Sequence, residues 1–414
     1  MYKNINFLTN LGNSKKPGLY KIKKVLSFFS NPHLRLKNCI LISGTNGKGA
    51  VAQSLSNILT ISGYRTGLYT SPHLVRINER LKINNKNITN RNLDLILDKI
   101  IQKCDKNKIQ LSYFELITAA AILYFYKEKN DINIFEVGLG GRFDATNIVN
   151  SKMALITNIG KDHMNYLGHT IELIAKEKAG IIRKNGYLIT SAEKKGLNIL
   201  LKDSKRKRAK VLIRDKDFFM EESNSKYYYK SDSVTIEFKT NLLGEHQMSN
   251  LALSIKASEI INKEFGFRIK IKNIKKALSR ISLPGRFQLI ERNPIKIIDT
   301  AHNVHAISNL VKNLKIFLKG RKINFLIGML KDKRPRECIN IIKEISNKIY
   351  VVNVPHARSF DANKLVQEFD DKNIKFIHYE DIPKIINYKR SLVITGSNYL
   401  IGHLLSKYVQ LKKF

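Results

Sequence analysis

The sequence predicts an α/β protein. An N-terminal P-loop-type domain is expected on a mostly parallel sheet with a small antiparallel appendage, followed by a smaller C-terminal Rossmann-like α/β domain. Three observations carry this. The chain has 414 residues, more than one ordinary core organises. A short apolar run enters a glycine-rich loop at Gly44 and leaves it as a helix. The strand–helix rhythm then gives way to β-rich runs from Phe218 and resumes after Asn293. These breaks place the first domain at 1–286, a linker at 287–294 and the second domain at 295–414.

In chain order, Asn38 to Ser43 reads as a buried strand, Ala50 to Ser62 as an amphipathic helix closed by Gly63, and Arg65 to Tyr69 as a second strand. Strand, loop, helix, strand is the βαβ unit of a parallel sheet. Leu93 to Lys103, Phe114 to Lys127 and Ile171 to Ala179 have helical spacing, and Asn133 to Val137 and Met153 to Asn158 are buried-strand candidates. Phe218 to Met220, Tyr227 to Tyr229 and Val234 to Phe238, separated by Ser, Asn and Asp, form the appendage. Helices are expected at Gln247 to Asn262 and Ile274 to Ser282, before Pro284-Gly285 breaks the chain. Strands follow at Ile295 to Asp299, Ile323 to Gly328, Lys348 to Val354 and Leu392 to Thr395.

Composition narrows the function classes. No apolar stretch reaches the length of a membrane span, and Met1 to Asn10 lacks a signal-peptide pattern. A cytoplasmic protein with no membrane partner is expected. Cys39, Cys104 and Cys338 are far apart and read as buried thiols in a reducing compartment. The net charge of +39 raises the question of nucleic acid. A nucleic-acid binder gathers its basic residues on one stripe, whereas here they are spread, with one cluster at Lys202 to Lys210. The excess accompanies abundant Ile and Asn, as AT-rich coding sequence produces, and no nucleic-acid partner is expected. A positive field still favours an anionic substrate.

The loop Gly44-Thr45-Asn46-Gly47-Lys48-Gly49 is a phosphate cradle. Small residues let N–H groups face phosphate, the helix start adds partial positive charge, and Lys48 reaches the outer phosphates. The usual GxxxxGK[ST] pattern is incomplete: Ile42 stands at the first glycine and Gly49 at the metal-binding hydroxyl. Mg²⁺ needs hard oxygen ligands, so other strand ends must supply them. Ser71, Glu136 and Asp162-His163 lie at or just past such ends, where ligands bind in parallel sheets.

Two long blocks then identify a family: Tyr69-Thr70-Ser71-Pro72-His73-Leu74-Val75-Arg76-Ile77-Asn78-Glu79-Arg80, and the run from Glu136-Val137-Gly138-Leu139-Gly140-Gly141 through Arg142-Phe143-Asp144-Ala145-Thr146-Asn147. With Ile174 to Ile181, Pro284 to Gln288 and Asp299 to Asn303, the chain resembles the folylpolyglutamate synthase/dihydrofolate synthase family, a branch of the Mur-ligase-like amide ligases. The resemblance implies an ATP-dependent ligase that adds L-glutamate to dihydropteroate and to the γ-glutamyl tail of reduced folates, or performs one of these two reactions, with ATP as co-substrate and two Mg²⁺ ions. It implies that Thr45, Asn46, Gly47, Lys48, Asn250, Arg286 and Asp299 contact ATP. Ser71, Glu136, His163 and a carbamylated Lys178 would bind metal. Lys48, Lys178 and His302 would be catalytic. The pterin would lie against Ser112, Tyr113, Phe114, Glu115, Phe143, Asp144 and Ala145, with a further loop near Asn10 to Pro17. Departures from the family pattern are Ala50 for Ser or Thr, Thr300 for a small or apolar residue, and Val304 for Pro.

The implied chemistry is attack of a carboxylate on the γ-phosphate, then displacement of phosphate by the glutamate amine, at a site between domains whose closure excludes water. A cell-wall Mur ligase would carry a UDP-binding domain before the loop, and 43 residues before Gly44 are too few for one. A basic nucleic-acid-binding NTPase would leave the Glu136 to Asn147 block unexplained. A monomer is expected.

Overall fold

The computed structural model describes residues 2–11, 18–223, 226–240, 242 and 244–407. The chain divides into two compact units. One comprises Met1–Pro72, Ile77–Asn241 and Gln247–Ile281, the other His73–Arg76, Leu242–His246 and Ser282–Phe414.

The first unit is built on an eight-stranded sheet. Its strands are β1 (Cys39–Ser43), β2 (Thr66–Tyr69), β3 (Leu81–Ile83), β4 (Lys86–Asn87), β5 (Ile132–Glu136), β6 (Ser151–Ile156), β7 (Tyr187–Thr190) and β8 (Lys210–Ile213). The order is β4-β3-β2-β5-β1-β6-β7-β8, with β3 and β4 antiparallel and the other pairings parallel. The runs CILIS and INIFE are buried at every position, as strands covered on both faces must be. From β1 the chain returns toward β2, while from β6 it proceeds away through β7 and β8. The connections therefore diverge between β1 and β6, the position in an open α/β sheet where the strand ends frame a crevice.

The appendage is a three-stranded antiparallel sheet of β9 (Phe218–Ser223), β10 (Lys226–Ser231) and β11 (Thr235–Phe238). Period-two alternation buries Phe218, Met220, Tyr227, Tyr229, Ile236 and Phe238 on one face. Glu259, on the helix Glu245–Phe265, anchors it by accepting from the Tyr229 hydroxyl and from Ser231, Ser233 and Lys256.

The second unit has a six-stranded sheet of β12 (Gln288–Arg292), β13 (Ile295–Ile298), β14 (Ile323–Ile327), β15 (Ser346–Val351), β16 (Ile374–Phe376) and β17 (Leu392–Thr395), in the order β12-β13-β17-β14-β15-β16. All pairs are parallel except β12 with β13. Residues 287–294, expected as a linker, thus supply an edge strand. The segment carries Glu291 and Arg292, but an antiparallel edge strand needs only one apolar face, and Ile290 provides its buried position. Apolar clusters cover both sheet faces. Among the described residues no helix is long and apolar enough to cross a membrane.

One histidine of this unit makes its stability pH-dependent. Asn313 donates to His246 Nδ1 over 3.0 Å, so that nitrogen must stay unprotonated. Burial, with Arg286 and His305 nearby, pushes the imidazole down to about 4. Its folded-state pKa lies below that of the unfolded chain, so unfolded protein takes up the proton first as pH falls. The contribution is whole above about pH 6.5 and is lost toward about pH 4, on the order of 2–3 kcal/mol. Chemical denaturation of wild type and His246→Gln at pH 7 and pH 4.5 is expected to show a smaller loss in the variant. Equal losses would remove His246 as the cause.

Candidate active site

The site grows from the sheet's carboxyl edge at the divergence of β1 and β6. Strand β1 ends at Ser43, residues 44–47 turn, and the helix Lys48–Ile61 begins, two residues earlier than the apolar spacing suggested. Two glycines are required by contact. Gly44 has φ +149, and a Cβ there would lie 1.8 Å from Thr157 Oγ1. Gly47 caps the helix at φ +86, where a Cβ would lie 2.3 Å from Asn250 Oδ1. The buried Asn250, held by a 3.0 Å bond to Gln247, therefore packs directly on the loop.

Two lysines converge on one carbonyl. Lys48 Nζ donates to Gly44 O at 3.0 Å and Thr45 O at 3.1 Å, and Lys178 Nζ donates to Gly44 O at 2.7 Å. Lys178 ends the helix Ile171–Lys178 and is buried. Desolvation, then the neighbouring Lys48 charge, hold its pKa well below the usual lysine value, against an opposing pull from Asp162. The shift favours the neutral amine over the ammonium.

Glu136 ends β5, is buried, and accepts from Ser71 N through Oε2 at 2.9 Å. A Cβ at Gly49 would lie 3.4 Å from the same oxygen. The carboxylate thus stands where a hydroxyl at position 49 would project, which gives a physical reason for glycine in the usual Ser/Thr place. Ser71 and Glu136 are brought together. Lys48, Asp162, His163 and Lys178 line a separate, solvent-open pocket with Ser43 to Thr45 and Val137 to Gly140. The start of the helix Lys48–Ile61 joins the two groups, with Lys48 on the cavity and Gly49 against Glu136. His163 sits at φ +51, its N–H bonded to Asp162 Oδ1 at 2.8 Å, with its ring exposed.

Among the described residues no group of three or more His, Cys, Asp and Glu side chains gathers as a metal site. The Ser71 hydroxyl and the Glu136 carboxylate are neighbouring oxygen donors, a pair that such a grouping does not count. Few protein ligands suit Mg²⁺, which keeps several waters and takes oxygens from substrate phosphates. The donor chemistry therefore fits that ion.

The Phe114 ring lies over the backbone of Gly138, where a Cβ would come within 2.5 Å of Cζ, and beside Tyr69 at 6.1 Å between centroids. The Arg80 guanidinium covers the Tyr113 ring at 5.3 Å. Arg80 is a buried cation that the residue-by-residue reading did not single out, although it closes the first long motif. Ser112 and Glu115 form a reciprocal capping box at the start of the helix Tyr113–Lys127, with bonds of 2.6 and 2.9 Å to Glu115 Oε2. Both have a structural task of their own. Asp144 is similar: its oxygens accept from Leu139 N, Thr146 N and Thr146 Oγ1, while burial raises its pKa. Phe143 is exposed, and Ala145 is buried at the start of the short helix Ala145–Ile148. The expected loop near Asn10 to Pro17 falls, for residues 12–17, outside the described residues.

In the second unit, Asp299 follows β13 and braces the turn before β12, accepting from Phe287 N at 2.6 Å and Ala301 N at 2.7 Å. Burial raises its pKa and Arg286 counters this. Thr300, a departure from the family pattern, donates its hydroxyl to Gly285 O at 3.0 Å and fixes the same turn. His302 Nδ1 faces Thr300 O at 2.8 Å. Val304 begins the helix Val304–Leu318, which Asn303 caps through Ala306 N.

Residues 42–258 match the Mur ligase middle domain family, and residues 285–401 match the Mur ligase, glutamate ligase domain family. The chain is similar to the dihydrofolate synthase/folylpolyglutamate synthase of Bacillus subtilis (strain 168), at 32% identity over 406 residues and 94% of each chain. Among solved structures it resembles a folylpolyglutamate synthase from Thermotoga maritima, at 33% identity, TM-score 0.86 and 99% of each chain. It also resembles E. coli FolC in complex with DHPP and ADP, at 27% identity and TM-score 0.89, over 97% of this chain and 96% of that one.

Proposed function

Because this chain belongs to the Mur ligase family, in its dihydrofolate synthase/folylpolyglutamate synthase branch, we propose that it is an ATP-dependent ligase joining L-glutamate to dihydropteroate and to the γ-glutamyl tail of folates. The observation that carries this reading is the phosphate loop with Glu136 set against Gly49, a nucleotide site whose acidic group comes from β5 instead of the loop.

The acceptor carboxylate attacks the γ-phosphorus of ATP and ADP leaves, giving an acyl phosphate. The glutamate amine then attacks the acyl carbon and inorganic phosphate leaves. Phosphoryl transfer asks the protein for positioning and charge neutralisation. Lys48 supplies a cation from the loop, exchanging its carbonyl acceptors for phosphate oxygens. Thr45, Asn46, Gly47 and Asn250 shape the phosphate side of the nucleotide site. Ser71, Glu136, His163 and Lys178 as its carbamate would hold two Mg²⁺ ions, which neutralise phosphate charge when bound. Lys178 suits carbamylation because its buried amine is neutral enough to add CO₂, losing one proton. Tyr113, Phe114, Phe143 and Ala145 offer the pterin an apolar, aromatic wall, with Ser112, Glu115 and Asp144 holding that wall in shape. Arg286 and Asp299 are the proposed nucleotide contacts of the second unit, and His302 its proposed catalytic side chain. Residues 1–286 form the proposed catalytic domain and 295–414 the glutamate-ligase domain. The protein acts as a cytoplasmic monomer with no nucleic-acid partner.

Purified protein given ATP, Mg²⁺, glutamate and dihydropteroate is expected to release ADP only when glutamate is present, with formation of the amide. Folate acceptors of increasing glutamate length report the second activity. No glutamate-dependent ADP release with any of these acceptors would overturn the reading.

A further inference from the structure

The residues that follow β6 grip the phosphate loop. Thr157 Oγ1 donates to Asn46 O at 2.6 Å, and Asn46 N donates to Asn158 Oδ1 at 2.9 Å. Thr45 N donates to Asn158 O at 2.9 Å, and Gly160 N donates to Thr45 Oγ1 at 2.9 Å. The clamp is itself held, since Ser191 Oγ donates to Thr157 O at 2.7 Å. Thr157 is 1% exposed, and its hydroxyl fills the space next to Gly44 that a Cβ would need.

The consequence lies in which donors are spent. A phosphate loop works by aiming N–H groups at the anion. Here the N–H groups of Thr45 and Asn46 are both turned to the residues that follow β6, one to a backbone carbonyl and one to a side chain. The helix beginning at Lys48 carries partial positive charge at this end. We propose that Thr157 and Asn158 are positioning residues for the nucleotide: they hold the N–H groups of Thr45 and Asn46 and thereby fix the loop that presents the helix start and Lys48 to the phosphates. The assignment rests on the ligase reading only in naming ATP as the nucleotide; the clamp belongs to the loop itself.

The variants follow from the atoms. Thr157→Val keeps the shape and removes the hydroxyl. Thr157→Ser keeps the hydroxyl. Asn158→Ala removes the acceptor for Asn46 N. The readouts are ADP affinity by calorimetric titration, steady-state KM for ATP and for the pterin acceptor, and Tm. Losing one neutral hydrogen bond that orders a binding loop is worth up to about tenfold. Thr157→Val and Asn158→Ala are expected to weaken ADP binding and raise KM for ATP by about that factor, with the pterin KM and Tm near wild type. Thr157→Ser is expected to bind ADP as wild type does. Wild-type ADP affinity in Asn158→Ala, or equal weakening in Thr157→Ser and Thr157→Val, would overturn the assignment. Should Thr157→Val fail to fold, the half-buried Asn158 decides alone. Weakened ADP binding in Asn158→Ala with no glutamate-dependent ADP release by wild type would leave the clamp standing and remove the ligase reading.

Discussion

Glu136→Gln is expected to lower kcat for glutamate-dependent ADP release by about a thousandfold, the scale of losing one strong electrostatic contributor to a transition state. Thermal stability should change little. Glutamine keeps an oxygen to accept from Ser71 N, the 2.9 Å bond seen here, and keeps the volume set against Gly49. Only the charge disappears. Steady-state kinetics with a Mg²⁺ titration checks this, since a lost ligand raises the Mg²⁺ requirement and a lost packing group does not. A variant with wild-type kcat at ordinary Mg²⁺ would exclude Glu136 from the metal set.

Lys178→Arg should be nearly as severe, at about a hundredfold or more in kcat. Arginine can still donate to Gly44 O, but its guanidinium stays protonated and cannot add CO₂. Burial first, and then Lys48, lower the Lys178 pKa, which favours the neutral amine that carbamylation requires. Purging CO₂ should therefore slow the wild type and bicarbonate should restore it, while the residual rate of Lys178→Arg responds to neither. A wild type indifferent to CO₂ removal, with no carbamate signal in ¹³C spectra of labelled protein, would return Lys178 to a structural role on Gly44.

The large architecture was legible because its signals are local. NCILIS and NIFEV are short, mostly apolar runs each followed by a glycine, and they became β1 and β5 at the centre of the sheet. The appendage was legible from short β-rich runs separated by Ser, Asn and Asp in the Phe218 to Phe238 stretch. Short or peripheral strands escaped. β8 is four residues following a lysine-rich helix end and only half-buried, and β12 is an edge whose charged residues suit a loop equally well. Glu136 and Ser71 could be proposed as partners because both sit at strand ends, but their contact spans 65 residues. The Thr157–Asn158 clamp spans more than 110. Thr157 and Asn158 look in sequence like the polar end of a strand, and only the β1–β6 pairing discloses what they hold. Ser112 and Glu115 show the converse. Their spacing is also that of a capping box, and the helix start accounts for both.

Activation of the acceptor's carboxylate as an acyl phosphate would leave an isotopic record in the phosphate when dihydropteroate carries ¹⁸O in its carboxylate. After one turnover with ATP, Mg²⁺ and glutamate, mass spectrometry of the released phosphate should find one ¹⁸O transferred per amide formed. Amide formed alongside unlabelled phosphate, or ADP released to water without amide, would rule out the acyl phosphate.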